Sequence, residues 1–196
     1  MAFEEFETDS EKFVLNAINV LLQTINELPI ENEEDLDNVL EAQTARQVLK
    51  ETKEEVLSED WHFNRDREYT LSPNTDGFII VPFNILDLSS SDADLIVREW
   101  KLYSKSNQSF IFEDPQTVDI VWNIAFNDLT HPLRNYITVA AARKFQARQI
   151  MDMATYNFTE KDEVKARMIA RRSDDRSSRG NSDQGEYANN YLVGGL

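Results

Sequence analysis

Between Asp60 and Asp87 the chain reads D-W-H-F-N-R-D-R-E-Y-T-L-S-P-N-T-D-G-F-I-I-V-P-F-N-I-L-D, and here its hydrophobic period changes. Up to about Ser58 apolar residues recur every three or four positions, the spacing of an amphipathic helix. From Trp61 to Trp122 the period shortens to two and turn residues punctuate it. Five runs fit strands: Glu68 to Ser72, Phe78 to Val81, Leu95 to Tyr103, Ser109 to Glu113 and Val118 to Trp122. Pro82 ends the second, because proline has no N–H to give to a ladder. Ser89-Ser90-Ser91-Asp92 marks a loop and Asn107-Gln108 a turn. Along the third run Ile96, Arg98, Trp100 and Leu102 share one face. Trp61, Phe63, Trp100, Phe110, Phe112, Trp122 and Phe126 read as the core of this β module and its seam with the helices.

Working outward, Thr8-Asp9-Ser10-Glu11 offers a capping box. Val14, Ala17, Ile18, Leu21, Leu22 and Ile25 then trace a first helix that ends near Asn26. Asn32-Glu33-Glu34-Asp35 places a cap and carboxylates at the positive end of a second helix. Its period holds from Leu36 to about Ser58, which predicts one rod about 35 Å long at roughly 1.5 Å per residue. The two form a hairpin across the turn at 27–32. Pro132 suits the first turn of a third helix, followed by Leu133, Tyr136, Ile137, Ala140, Ala141, Phe145 and Met151. The run Ala140-Ala141-Ala142 lets another helix approach closely. A fourth helix starts near Asn157 or Thr159, with Glu160 or Asp162 three residues on, and runs through Val164 and Met168 to Arg171-Arg172. Residues 173–196 are rich in Ser, Asp, Asn and Gly and show no period, the composition of a flexible tail.

The expected fold class is therefore α+β, an antiparallel bundle of about four helices with an inserted small antiparallel β module. Residues 1–60 form the N-terminal helical hairpin, 61–128 the module, 129–172 the helices that complete the bundle, and 173–196 the tail. All belong to a single structural unit.

A length of 196 residues suits one domain with a real core, and 41% hydrophobic content with 11 Phe supplies the material. No apolar run approaches the roughly 18 residues of a membrane span. The acidic start Met1-Ala2-Phe3-Glu4-Glu5 is unlike a signal peptide, so synthesis and use in the cytosol are expected. Zero Cys excludes disulfides and thiolate metal sites. The net charge of −16 is unevenly spread. Acids against bases number 17 and 4 for residues 1–60, 11 and 5 for 61–130, and 8 and 11 for 131–196, giving −13, −6 and +3. That bias opposes a protein that grips duplex DNA, since phosphate contacts need clustered cations. It suits a surface that DNA slides past, or assembly in which acidic and basic faces meet; a solvated acidic face is the plain alternative.

Residues that could carry chemistry are few. With 5 Gly, no phosphate-binding glycine loop can be built, and there is no Gly-x-Ser-x-Gly elbow. His62 and His131 are 69 positions apart and lack a second ligand at helical spacing. His62, flanked by Trp61 and Phe63, reads as packed at the helix-to-sheet junction. Asp66 and Glu68, beside Trp61 and Tyr69, are the best candidates for a sugar-cleaving carboxylate pair, which needs one carboxyl kept protonated across a cleft. Arg65 and Arg67 alternate with them and favour the charged form, so solvated strand-edge charges fit better. No catalytic, cofactor or metal residue is assigned. Among the C-terminal cations Arg167, Arg171 and Arg172 cluster at i, i+4 and i+5, but interleaved acids make contact with an acidic neighbouring subunit a better reading than DNA binding. Tyr187 and Tyr191 give the tail two apolar anchors for the same purpose.

The order Trp61-His62-Phe63-Asn64, Leu71, Asp76-Gly77, Val81-Pro82, Asn84 and Asp87 resembles the tail tubular protein A, or head-to-tail adaptor, family of short-tailed bacteriophages. The resemblance extends from Ala17-Ile18-Asn19 through Leu102-Tyr103, Val118-Asp119-Ile120-Val121 and Asp128-Leu129 to Phe145-Gln146-Ala147-Arg148, about residues 12 to 168. It implies a non-enzymatic virion tail protein, one of a ring of twelve copies between the portal and the tail nozzle protein (tail tubular protein B). Such a ring continues the DNA channel without binding DNA specifically, helps seat the tail fibres, and uses no cofactor or membrane. A carbohydrate-cleaving tail hydrolase using the β-module carboxylates is the alternative, and a helical DNA-binding factor using Arg134 to Arg179 a third option.

Overall fold

The computed structural model describes residues 12–59, 61–92, 94–149 and 159–190, with side chains of the last helix described to residue 178. The capping box at Thr8, and Asp60, Met151, Asn157 and Tyr191, lie outside the described residues. Helices and small antiparallel sheets occur in one chain, so the class is α+β. The chain divides into two compact units, Met1–Val56 with Ala125–Leu196, and Leu57–Ile124.

In the helical unit, α1 spans Lys12–Gln23 and buries Leu15, Ala17, Ile18, Leu21 and Leu22 on one stripe. Asn26 ends it at φ 61, and the Glu27 amide reaches back to the Leu22 carbonyl at 3.1 Å. That is a left-handed helix cap, in which Asn is the next choice after Gly. The Asn19 amide then pins the following turn, donating to the Ile30 carbonyl and accepting from the Ile30 amide, both at 2.8 Å.

The second helix is not one rod. A 3-10 turn covers Glu33–Asn38, Val39 is extended at φ −116 and ψ 116, and α2 begins only at Leu40 and runs to Leu57. Asp35, Asp37 and Asn38 are poor interior residues because their short polar side chains compete for backbone partners, and burial of Leu36 holds the tighter turn in place. Along α2 the inward residues are Ala42, Ala45, Val48, Leu49, Thr52 and Val56. Past a 3-10 turn at Phe126–Asp128, α3 covers His131–Gln149. Both α1 and α4, the last spanning Glu160–Asn190, pack against α3. Thr159 caps α4: its amide and hydroxyl both donate to Asp162, at 2.9 and 2.6 Å.

One expectation for α4 changes. The helix does not stop at Arg172 but continues to Asn190. Adding a residue to a nucleated helix costs little, so a stretch without an apolar stripe can still extend one. Among its described side chains Ala166 and Ala170 are buried, while Val164 and Met168 are each 51% exposed. Alanines on the inward stripe suit close approach to α3, which buries Ala140, Ala141 and Ala142.

In the β unit, β1 (Arg65–Leu71), β5 (Gln116–Trp122) and β2 (Ile85–Ser89) form an antiparallel sheet in the order β1-β5-β2. A second sheet pairs β3 (Leu95–Arg98) with β4 (Lys101–Ser104). Segment 78–81 joins it through isolated bridges, Ile80 to Lys101 and Phe78 to Ile111. The core between the sheets is Leu71, Ile79, Leu102, Val118 and Ile120.

The expected strand Leu95 to Tyr103 is thus a hairpin. Glu99 and Trp100 form its two-residue turn at φ 51 and 58, the type I′ pattern that normally selects Asn-Gly. Neither residue signals a turn by composition. The turn shifts the parity of everything after it: Val97 pairs with Leu102 on the inner face, and Arg98 with Lys101 on the outer. Trp100 is consequently not core but 59% exposed at the hairpin tip. Of the other aromatic residues, Trp61 is buried in this unit at 1% exposure, and Phe126 is buried in the helical unit. His62 lies exposed in a 3-10 turn rather than packed.

Candidate interaction site

The Trp61-His62-Phe63-Asn64 turn is a structural clasp. Asn64, 1% exposed, donates its amide to the Leu57 carbonyl at 2.8 Å and to the Trp122 carbonyl at 3.0 Å. One side chain therefore ties Leu57 to the end of β5, both within the β unit. Further on, Asn74 accepts from the amides of Asp76 and Phe78 at 3.0 and 2.9 Å. Gly77 follows at φ 81, with the position of a Cβ only 2.9 Å from the Ile111 methyl.

Asp66 and Glu68 do not form a pair across a cleft. A bulge shifts the β1–β5 register between Asp66 and Tyr69, and Glu68 sits within it at φ 55. Its amide bonds to the Asp119 carboxylate at 3.0 Å, while the Asp66 carboxylate accepts from the Trp122 indole at 2.8 Å. Both carboxylates are exposed. Among the described residues no group of three or more acids and histidines is placed to hold a metal ion, and no helix is long and apolar enough to cross a membrane.

The surfaces are more informative. On α4, Arg167 and Arg172 are exposed and Arg171 is half-buried. Val164, Met168 and Ile169 share the exposed side of that helix, so the cations stand among apolar side chains. Ile169, Arg172, Asp175 and Arg176 line an open hollow of about 530 Å³. Tyr187 lies on the helix, but its side chain is outside the described residues. Hydrogen bonds from the Thr159 hydroxyl and amide hold the Asp162 carboxyl below its ordinary value, which favours the charge at the positive helix end.

Some of the charge asymmetry is already satisfied within the chain. Lys144 of α3 pairs with Glu55 of α2, Arg148 with Glu51 at 2.9 Å, and Arg143 with Glu163 of α4. Hydrogen bonds from Gln47 and then Arg148 hold the Glu51 carboxyl below its ordinary value. The acids of α2 are therefore partly spent on α3. The turn at 27–37 is different: it carries six acids and no cation; Asp37 pairs with Arg46 at 2.5 Å, and Asp35 accepts from the Asn32 side-chain amide at 3.3 Å. Leu28 within it and Leu40 just beyond it are 84% and 71% exposed.

The model of the family described as tail tubular protein matches residues 15–180. The chain belongs to the tail tubular protein family. Tail tubular protein A of Klebsiella phage KP34 is 34% identical over 118 residues, 59% of this chain and 61% of that protein. The chain thus spans about three fifths of the length of the curated relative it matches. As a tail tubular protein it is a structural component of a bacteriophage virion tail. The family match runs twelve residues past Met168, where the sequence resemblance thins, and takes in the cation cluster of α4.

Proposed function

We propose that this tail tubular protein is the subunit of a ring, twelve copies in all, that joins the portal to the tail nozzle protein, carries the DNA channel between them and helps seat the tail fibres. The family match over residues 15–180 carries the reading. The helical unit serves as an antiparallel bundle of about four helices, and the exposed strip of α4 with Arg167, Arg171 and Arg172 is its contact with a neighbouring subunit or the portal. Mixed apolar and cationic side chains suit such a contact, because the apolar atoms supply affinity and the charges supply orientation. The segment 173–196, with Tyr187 and Tyr191, orders further against the same partner. An excess of acids, −16 in all, lets DNA pass the channel wall without sticking. The protein is no enzyme on this reading; the exposed, separately bonded Asp66 and Glu68 give the hydrolase alternative no support. Negative-stain images of the protein alone and mixed with its portal test the proposal: rings seated on the portal are expected, and persistent monomers in both samples would overturn it.

A further inference from the structure

The outer face of the β3–β4 sheet is built unlike the rest of its unit. Residues paired directly across an antiparallel ladder lie on the same face. The pairs Arg98 with Lys101, Ile80 with Lys101 and Phe78 with Ile111 therefore share one. Its cations lie on rings: the Arg98 guanidinium is 4.3 Å from the Tyr103 centroid and the Lys101 ammonium 4.6 Å from that of Phe78. Stacking on rings holds both charges in place while leaving them open to an anion. Of the five cations between residues 57 and 124, Arg98 and Lys101 are on this hairpin and Lys105 directly follows it. On this face Ile80 and Ile111 are each 52% exposed, and Trp100 at its tip 59%; Phe83, two residues past the Val81 amide that bonds the Trp100 carbonyl, is 84% exposed. Single exposed apolar residues are ordinary, but a contiguous group beside fixed charges marks an interaction surface.

We propose that this face docks the acidic turn 27–37 of a neighbouring copy of the chain. The two surfaces complement each other in kind. One offers cations among exposed aromatic and aliphatic side chains; the other offers six acids beside the exposed Leu28 and Leu40. Each copy carries both, on different units, so the contact is head-to-tail, the type that closes a ring when repeated. Nucleic acid is a poorer occupant, since tracking a phosphate chain needs many clustered cations and this face holds two on rings, Arg98 and Lys101. The strained turn serves the same end: with Glu99 and Trp100 both at positive φ, the indole is held at the hairpin tip.

The inference rests on the ring proposed above, and a charge-swap cycle separates the two. Arg98→Glu with Lys101→Glu, and separately Glu33→Lys with Glu34→Lys, should each raise the concentration needed for ring assembly on the portal by about tenfold, in the range of charge-pair couplings at interfaces. The fourfold variant should recover most of the loss. Phe83→Ser, at a side chain 84% exposed, should weaken assembly without altering charge and covers the case in which the double reversals fail to fold. If wild-type protein forms no ring, the ring reading fails and this contact with it. If wild type forms rings while the folded reversals and Phe83→Ser assemble as well as it does, or the fourfold variant recovers nothing, only the contact is overturned.

Discussion

Asn64 shows how much one side chain can hold. Its two hydrogen bonds, one buried and one part-buried, bind backbone groups that have ended their helix or strand. Asn64→Ala leaves those carbonyls without their donor, so a loss of about 1–3 kcal/mol is expected, the cost of unsatisfied buried groups. Urea unfolding checks it through a lower midpoint at unchanged slope. Asp94 works differently, at the surface. Its carboxylate accepts from the Ser104 hydroxyl at 2.6 Å and from the Ser106 amide and hydroxyl at 2.6 and 2.9 Å, and these bonds, that of Ser104 foremost, hold it below its ordinary value. A carboxyl depressed in the folded state contributes stability that is complete above its unfolded value and is lost as pH falls through the folded one. The loop 104–106 should therefore loosen only in acid below the ordinary carboxylate range. Amide exchange at Ser106 against pH reports this, and Asp94→Asn should remove the transition.

Among the elements, the β3–β4 hairpin stores conformational energy. Left-handed backbone costs an ordinary residue about 1–2 kcal/mol, and both turn residues adopt it. Replacing the pair, Glu99→Asn with Trp100→Gly, matches the turn to its preferred residues. Stability should rise by about 1–2 kcal/mol if that strain is released, measured as a higher melting temperature. Assembly of the same variant on the portal should weaken, because the indole is gone. Gain in the monomer with loss in the ring would distinguish a displayed residue from a packing one. The α4 helix makes the opposite compromise. Its alanines face α3 and its larger apolar residues face outward, so the fold uses the small side chains and leaves the large ones for another surface.

For the assembled particle, the decisive quantity is how charges are divided between bonds inside a subunit and contacts among subunits. Three ion pairs already link α2, α3 and α4. Reversal of Arg167, Arg171 and Arg172 to Glu should therefore leave the secondary structure intact and reduce the fraction assembled on the portal. Exposed pairs are worth only about 0–1 kcal/mol each, yet the same contact would recur around the proposed ring. Raising salt should act in the same direction on the wild type, since such charges are screened within about 8–10 Å. Sedimentation of both proteins across a salt series makes the measurement. Assembly unchanged by reversal and by salt would assign the contact to the apolar strip of Val164, Met168 and Ile169.

From sequence alone came the α+β class, the helical stripe of α1, two alternative caps for α4 of which the structure uses Thr159 with Asp162, the β segment after Trp61 and the family motif it carries. These are local properties: periods of 3.6 and 2, and side chains that satisfy backbone groups a few residues away. Long-range packing decided the rest. Leu95 to Tyr103 alternates well enough to pass for one strand, and only pairing of Val97 with Leu102 forces Glu99 and Trp100 into a turn that their composition does not announce. Val164 and Ala166 both recur at helical spacing; contact with α3 selected the alanines. The break at Val39 follows the burial of Leu36, and the salt bridges of α3 join residues up to 97 positions apart. Periodicity states that a face will be buried, but which face, and against what, depends on partners that are distant in the chain.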